Sequence, residues 1–247
     1  MKKSLWMFLA VLICRQGLCI DKPDREFSLG LVLSRFENPV INSHSRNYVL
    51  PTANFIYYGE KFFIDEEIGY TLKNFDNAVI NIVGSFNLDF IYFVPHNASL
   101  DKLRNRHLSF MAGIEALYFT RSGEIQLQAL QDISNTQNGQ QLVFNYRFPL
   151  RVRQWNIVPQ IGLHWKSKKL IQYYYGIEAE DAGSFPLYDA QSGINTYAAL
   201  DAEYAINYHW LLGGFVHYTK LASTIEKSPI IEKNRALTLA IGVKYVF

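Results

Sequence analysis

Leu237-Thr238-Leu239-Ala240-Ile241-Gly242-Val243-Lys244-Tyr245-Val246-Phe247 ends the chain on an unbroken alternation, with Leu237, Leu239, Ile241, Val243, Tyr245 and Phe247 as one series. In an extended chain successive side chains point to opposite faces, so one face here is continuous hydrocarbon and the other is small or polar. Bacterial outer-membrane barrels close with a C-terminal strand whose final aromatic is read by the barrel-assembly machinery. Gly242, Tyr245 and Phe247 follow the Gly-x-x-aromatic-x-aromatic order of that assembly signal.

Working outward, comparable segments lie at residues 27–35, 48–58, 61–72, 77–92, 107–120, 124–133, 141–150, 155–166, 170–177, 194–206, 210–221 and 235–247, which predicts about twelve strands. Many have ten residues or more, long for a soluble strand and suited to a tilted crossing of the outer membrane. Ile80, Ile82, Phe86, Leu88, Phe90 and Tyr92 oppose Asn81, Ser85, Asn87 and Asp89, and Leu142, Phe144, Tyr146 and Phe148 oppose Gln141, Asn145 and Arg147. A wet lumen accommodates such polar faces, whereas a dry core would require every group to be paired. Alternation alone does not say which face is apolar outward, so a soluble β-sandwich or a lipocalin-like barrel stands as the rival. The longer irregular segments 36–47, 178–193 and 222–234 fall on odd-numbered connections and are predicted to be extracellular loops. Residues 95–104 break that rule and read as a sizeable periplasmic connection.

The N-terminal Met1-Lys2-Lys3, the apolar run from Leu5 to Ile13 and Gly17-Leu18-Cys19 predict a cleavable signal peptide over 1–19, leaving 20–247 as one barrel domain. The run is too short to span a bilayer. A lipoprotein reading is weakened by Gln16-Gly17-Leu18 ahead of Cys19. Both cysteines, Cys14 and Cys19, lie in this segment, so the mature chain has neither a disulfide nor a thiolate metal site. The 247-residue chain has 24 basic and 22 acidic side chains; without Lys2, Lys3 and Arg15 the balance is 21 against 22, a formal charge of −1. That balance and the absence of a Lys/Arg run exclude a nucleic-acid partner.

Candidate sites are few. If odd residues face inward on the tenth and eleventh strands, Asp201, Glu203 and His217, with Thr219, meet across a strand pair and form a lumen polar network. Of Asp65, Glu66 and Glu67 only the first and third share a strand face, which suits a solvated or lipopolysaccharide-facing rim better than a cation site. The 6 histidines lack metal-ligand spacing, and His164 and Ser167 do not share a face. No nucleophile, base and orienting group stand in readable order, so the chain reads as a non-enzyme without cofactor or metal. Tyr173, Tyr174 and Tyr175 read as an interfacial aromatic girdle with one lumenal ring, a sugar-stacking platform being the alternative. Gly176 is read as a strand end, and Ser228-Pro229 as a structural loop anchor.

The chain resembles the MipA/OmpV family of outer-membrane proteins, also called the MltA-interacting protein family. The resemblance is carried by Tyr173-Tyr174-Tyr175-Gly176-Ile177, by Ser228-Pro229-Ile230-Ile231, by Trp155, Pro159 and Trp165, and by Leu50-Pro51 with Lys61-Phe62-Phe63-Ile64-Asp65. The chain departs from the family pattern at 36–47 and lacks the family's turn histidine within 132–139. The resemblance implies an all-β antiparallel transmembrane barrel in the outer membrane of a Gram-negative bacterium, in contact with outer-membrane lipid and lipopolysaccharide. It further implies a scaffold linking a lytic transglycosylase with a penicillin-binding protein in peptidoglycan remodelling. A small pore or transport barrel and a surface adhesin are the alternatives.

Overall fold

The computed structural model describes residues 26–41, 47–65, 67–93, 100, 103–179 and 185–247. The predicted signal peptide lies outside the described residues, as does Glu66. The strands are β1 (Glu26–Glu37), β2 (Asn47–Tyr58), β3 (Phe62–Ile64), β4 (Ile68–Asn74), β5 (Ala78–Phe86), β6 (Phe110–Phe119) and β7 (Glu124–Asp132). They continue as β8 (Gln140–Arg147), β9 (Leu150–Val152), β10 (Trp155–Lys166), β11 (Gly193–Ala205), β12 (Trp210–Lys220) and β13 (Arg235–Val246). Each pairs antiparallel with its neighbour in sequence, except that β8 and β9 both pair with β10, and β13 returns to β1 with Val32 opposite Gly242, closing the barrel. A Cβ on Gly242 would lie 2.7 Å from the Leu31 carbonyl oxygen, so glycine permits the close approach of β13 to β1. β8 and β9 both lie on β10 and are two pieces of one wall strand, interrupted where Pro149 has no N–H for the ladder. The wall therefore has twelve strands.

Which face is apolar is decided by exposure. On β1 Leu29, Leu31 and Leu33 are exposed while Ser28 and Ser34 are buried; on β8 Leu142 and Phe144 point out while Gln141, Asn145 and Arg147 are buried. Hydrocarbon faces outward all round and polar side chains face the lumen, the reverse of a soluble barrel or sandwich. Trp155 on Tyr204, Trp210 on Tyr245 and Phe247 on Phe27 place aromatic pairs near one end of the barrel, as an interfacial girdle requires.

The number twelve is reached differently from the prediction. Residues 61–72 form two short strands, β3 and β4, because the chain reverses where the Asp65 N–H donates to the Glu67 carbonyl at 2.9 Å, setting Phe63 opposite Gly69. Residues 170–177 form no strand; they contain most of the helix α1 (Lys168–Tyr175). One strand gained and one lost leave the total unchanged. The extra strand also moves residues 95–104 onto the fifth connection, so the long connections 38–46, 87–109, 167–192 and 221–234 all leave the same end. The other end carries the turns 59–61, 75–77, 120–123, 153–154 and 206–209. Residues 77–92 likewise divide: β5 stops at Phe86 and Leu88–Phe93 forms a 3-10 turn.

Candidate functional site in the lumen

α1 enters the long-loop mouth. Leu170, Ile171, Tyr174 and Tyr175 occupy one helical face and are fully buried against Phe63 of β3, Val83 of β5, Met111 of β6 and Leu130 of β7. Two adjacent buried tyrosines are incompatible with strand alternation, which explains why this aromatic run is helical. The three tyrosines are therefore not an interfacial girdle: they belong to a plug. Tyr174 donates to the His107 carbonyl at 3.0 Å, and Tyr173 accepts from the His107 N–H at 2.9 Å. Burial raises the pKa of Tyr174 and Tyr175, so both hydroxyls stay neutral.

The C-terminal carbonyls of α1, which a helix leaves without partners, are met by two arginines from the fifth connection. Arg106 donates to the Tyr174 and Gly176 carbonyls at 3.3 and 3.2 Å, and Arg104 donates to the Gln172 carbonyl at 3.2 Å. Gly176 ends the helix, where an added Cβ would collide with the Gln172 side chain. Ser228 donates to the Tyr175 carbonyl at 2.5 Å, so the two segments carrying the family resemblance meet across the plug. α2 (Ser223–Glu226) packs Ile225 into the same cluster, and Tyr188 donates to the Thr224 carbonyl at 2.6 Å. Beneath, Lys166 of β10 holds both oxygens of Asp89 at 2.5 and 2.6 Å, and this ion pair is buried. The Asp132 carboxylate accepts the backbone N–H groups of Ser134, Thr136, Gln137 and Asn138, which shapes the loop lacking the turn histidine.

Below the plug a polar belt crosses the lumen wall. Thr71 donates to Asn81, Asn81 to Glu115 at 2.6 Å, and Gln126 and Gln128 to the other Glu115 oxygen. Asn145 bridges Gln126 and Gln160, and Gln160 donates to Asp201. Arg147 pairs with Glu124 at 2.8 Å, and Gln128 also reaches Glu67. Of the residues expected in a lumen network, Asp201 lies on this belt and Glu203 pairs with Lys244 of β13 at 3.0 Å. His217 instead stacks on Tyr197 with ring centroids 4.9 Å apart, and it is set opposite Ala199 rather than either carboxylate. His164 meets Gln141 at 3.0 Å, while Ser167 precedes α1 and its hydroxyl accepts the Gln140 N–H instead of capping the helix. The other half of the lumen is a cavity of about 450 Å³, lined on β1, β2 and β10 to β13 by Ser34, Thr52, Asn156, Gln160, Glu203 and Lys244. Among the described residues no group of three or more His, Cys, Asp and Glu side chains is placed to hold a metal ion.

A closed antiparallel barrel with an apolar exterior and a polar, partly plugged lumen defines an outer-membrane β-barrel protein. Residues 29–247 match the family model for MltA-interacting protein MipA, and the chain belongs to that family. The MltA-interacting protein of Escherichia coli strain K12 is 26% identical over 255 residues, covering 100% of both chains. Outer membrane protein OmpV of Vibrio cholerae is 24% identical over 198 residues, covering 78% of this chain and 77% of its own. Among solved structures, the NanC porin matches with a TM-score of 0.47 at 9% identity, covering 88% of this chain and 98% of its own. The outer membrane channel DcaP of Acinetobacter baumannii matches with a TM-score of 0.45 at 6% identity, covering 90% and 96% respectively. The protein is an outer-membrane protein.

Proposed function

We propose that this barrel is a non-enzymatic platform on which a periplasmic murein enzyme docks. The Escherichia coli relative is named for its interaction with MltA, and the family resemblance points to the same class of partner. The observation that carries the reading is the contrast between the two ends. The described residues of the long connections plug the mouth, while the five short turns form a rim that follows the rule for the periplasmic side. At the tip of one of them Tyr208 is 99% exposed, and an unburied aromatic on a short turn is the kind of anchor that dominates protein interfaces. Many of the lumenal carboxylates and amides, among them Glu115, Gln126, Gln160 and Asp201, hydrogen-bond one another, which supports a structural use of them.

Placing a benzoylphenylalanine photocrosslinker at Tyr208 in intact cells is expected to capture a lytic transglycosylase or penicillin-binding protein that the same label at Leu31 does not. Capture of neither removes the platform reading. The cavity favours one second reading, a narrow pore for a modest solute. Steady conductance of the wild-type protein in planar bilayers would support the pore, and silence would support the platform.

A further inference from the structure

The lipid-facing wall carries an apolar track that ends in cations. Residues directly opposite one another in paired strands share a face, and one outward row on β6, β7, β8 and β10 reads Ala116, Leu127, Phe144 and Leu163. The same row continues through Thr196 of β11 to Lys220 of β12 and Arg235 of β13. It starts within β6 and arrives at the last residue of β12 and the first of β13, so on tilted strands it climbs from the hydrocarbon to the rim at the long-loop end. The next row toward that end is Ile114, Ala129, Leu142, Trp165 and Ile194. The small Ala116 and Ala129 leave room between the two rows, and an apolar groove of about 550 Å³ lies there, walled by Leu127, Phe144, Leu163 and Trp165.

At the head of the track Lys220 and Arg235 are both exposed and directly opposite each other. Like charges so placed repel. An anion set between them replaces that repulsion with two charge-assisted hydrogen bonds. Two residues lower on β12 Tyr218 is exposed, an aromatic at the level where hydrocarbon gives way to head groups. A third outward cation, Arg35, is exposed on β1 opposite Leu239, which lies four residues along β13 from Arg235. The two cationic poles are therefore about 14 Å apart, at ~3.3 Å per residue and ~4.8 Å between strands. Glu37, beside Arg35, pairs with Lys233 at 2.6 Å, and Glu226 accepts from Asn234 at 3.4 Å.

Charge, spacing and groove select one occupant. Short turns mark the periplasmic side, so the long-loop end meets the outer leaflet. A phospholipid has one phosphate and reaches one pole, whereas a glycolipid phosphorylated at both ends of a disaccharide, the chemistry of the lipid A of lipopolysaccharide, reaches both. From Thr196 back to Ala116 the track covers about 19 Å, four steps between strands, a length that an acyl chain fills.

We propose that the outer wall binds one diphosphorylated glycolipid of the outer leaflet, with one phosphate between Lys220 and Arg235, the other on Arg35, and an acyl chain along the groove from β11 to β6. This surface is separate from the periplasmic rim and does not depend on the platform reading.

The test titrates the full-length protein in detergent with diphosphorylated lipid A, with dephosphorylated lipid A and with phosphatidylglycerol, and counts bound lipid by native mass spectrometry. The expected result is a single diphosphorylated lipid A per chain that neither of the other lipids displaces. Lys220→Gln combined with Arg235→Gln is expected to weaken its binding about thirtyfold, since each surface cation contributes ~1 kcal/mol and ~1.4 kcal/mol is tenfold. Ala129→Trp, which fills the groove, should weaken it as well, while Arg151→Gln with Arg153→Gln near the short turns leaves it unchanged. Equal retention of dephosphorylated lipid A or of phosphatidylglycerol by the wild type overturns the proposal. So does a Lys220 and Arg235 double variant that binds as the wild type does. The comparison among the three lipids uses the wild-type protein and stands whether or not a variant assembles.

Discussion

Lys166→Met is expected to unseat the plug. The substitution leaves the Asp89 carboxylate buried beside the Tyr175 hydroxyl without the Lys166 ammonium that pairs with it. Removing one member of a buried pair costs ~3–5 kcal/mol, because the remaining charge keeps its desolvation penalty without the attraction that offset it. That offsets a large share of the ~6–12 kcal/mol that burying the four apolar side chains of α1 contributes, so α1 and the connections pinned to it should open far more often while the twelve strands remain. Two readouts follow: protease cleavage within 167–192 in otherwise intact barrels, and conductance in planar bilayers above that of the wild type. Asp89→Leu combined with Lys166→Met is expected to restore closure, since an apolar pair of similar volume is often neutral or stabilising in place of a buried ion pair. If the single variant stays closed and protease-resistant, the pair is not what seats the plug.

Leu31→Arg is expected to cost ~2–4 kcal/mol, the penalty for a cation on the lipid face near mid-membrane. Leu31 is 68% exposed, at the middle of β1. In a water-facing protein an exposed leucine of that kind could be replaced within about ±0.5 kcal/mol. Ile161→Arg on β10, 60% exposed, should behave alike, and Thr52→Arg, which faces the cavity, should be tolerated. The folded fraction in lipid vesicles, read as the gel-mobility difference between heated and unheated samples, checks all three.

The lipid face was legible in the residues because hydrocarbon outside imposes a strict period of two: Leu29, Leu31 and Leu33, or Leu142 and Phe144, have no other way to arrange themselves around a barrel. The lumen imposes no such rule. Its polar positions, such as Glu115, Gln126 and Asn145, are chosen to satisfy one another across strands, and partners far apart in sequence leave no local mark. The plug was illegible for a related reason. Leu170, Ile171, Tyr174 and Tyr175 are aromatic and branched residues that favour strands in isolation, and only the cup formed by Phe63, Val83, Met111 and Leu130, with arginines at the helix C-terminus, makes the helix the better solution. One local clue existed: no single face of a strand could take both Tyr174 and Tyr175 into the interior. The early turn at 65–67 was hidden because the period of two carries straight through it: Phe63, Asp65, Glu67 and Gly69 keep one parity, and only the pairing of Phe63 with Gly69 reveals the reversal. Asp89 was read as a polar-face position and 166 only as the end of a strand, and nothing in their spacing announces that they meet.

The measurement that tests the central claim most directly uses the absence of cysteine from residues 26–247. Single cysteines placed in turn from 236 to 246, Gly242 excepted because β1 leaves no room for a side chain there, are spin-labelled, reconstituted in lipid and report collision with oxygen, which concentrates in hydrocarbon, and with a water-soluble nickel chelate. The account predicts an oxygen maximum at every second position, at Leu237, Leu239, Ile241 and Val243, with the chelate favoured at Thr238, Ala240 and Lys244. A flat profile, or one with the two probes exchanged, would mean that the apolar face does not meet lipid, and would contradict it.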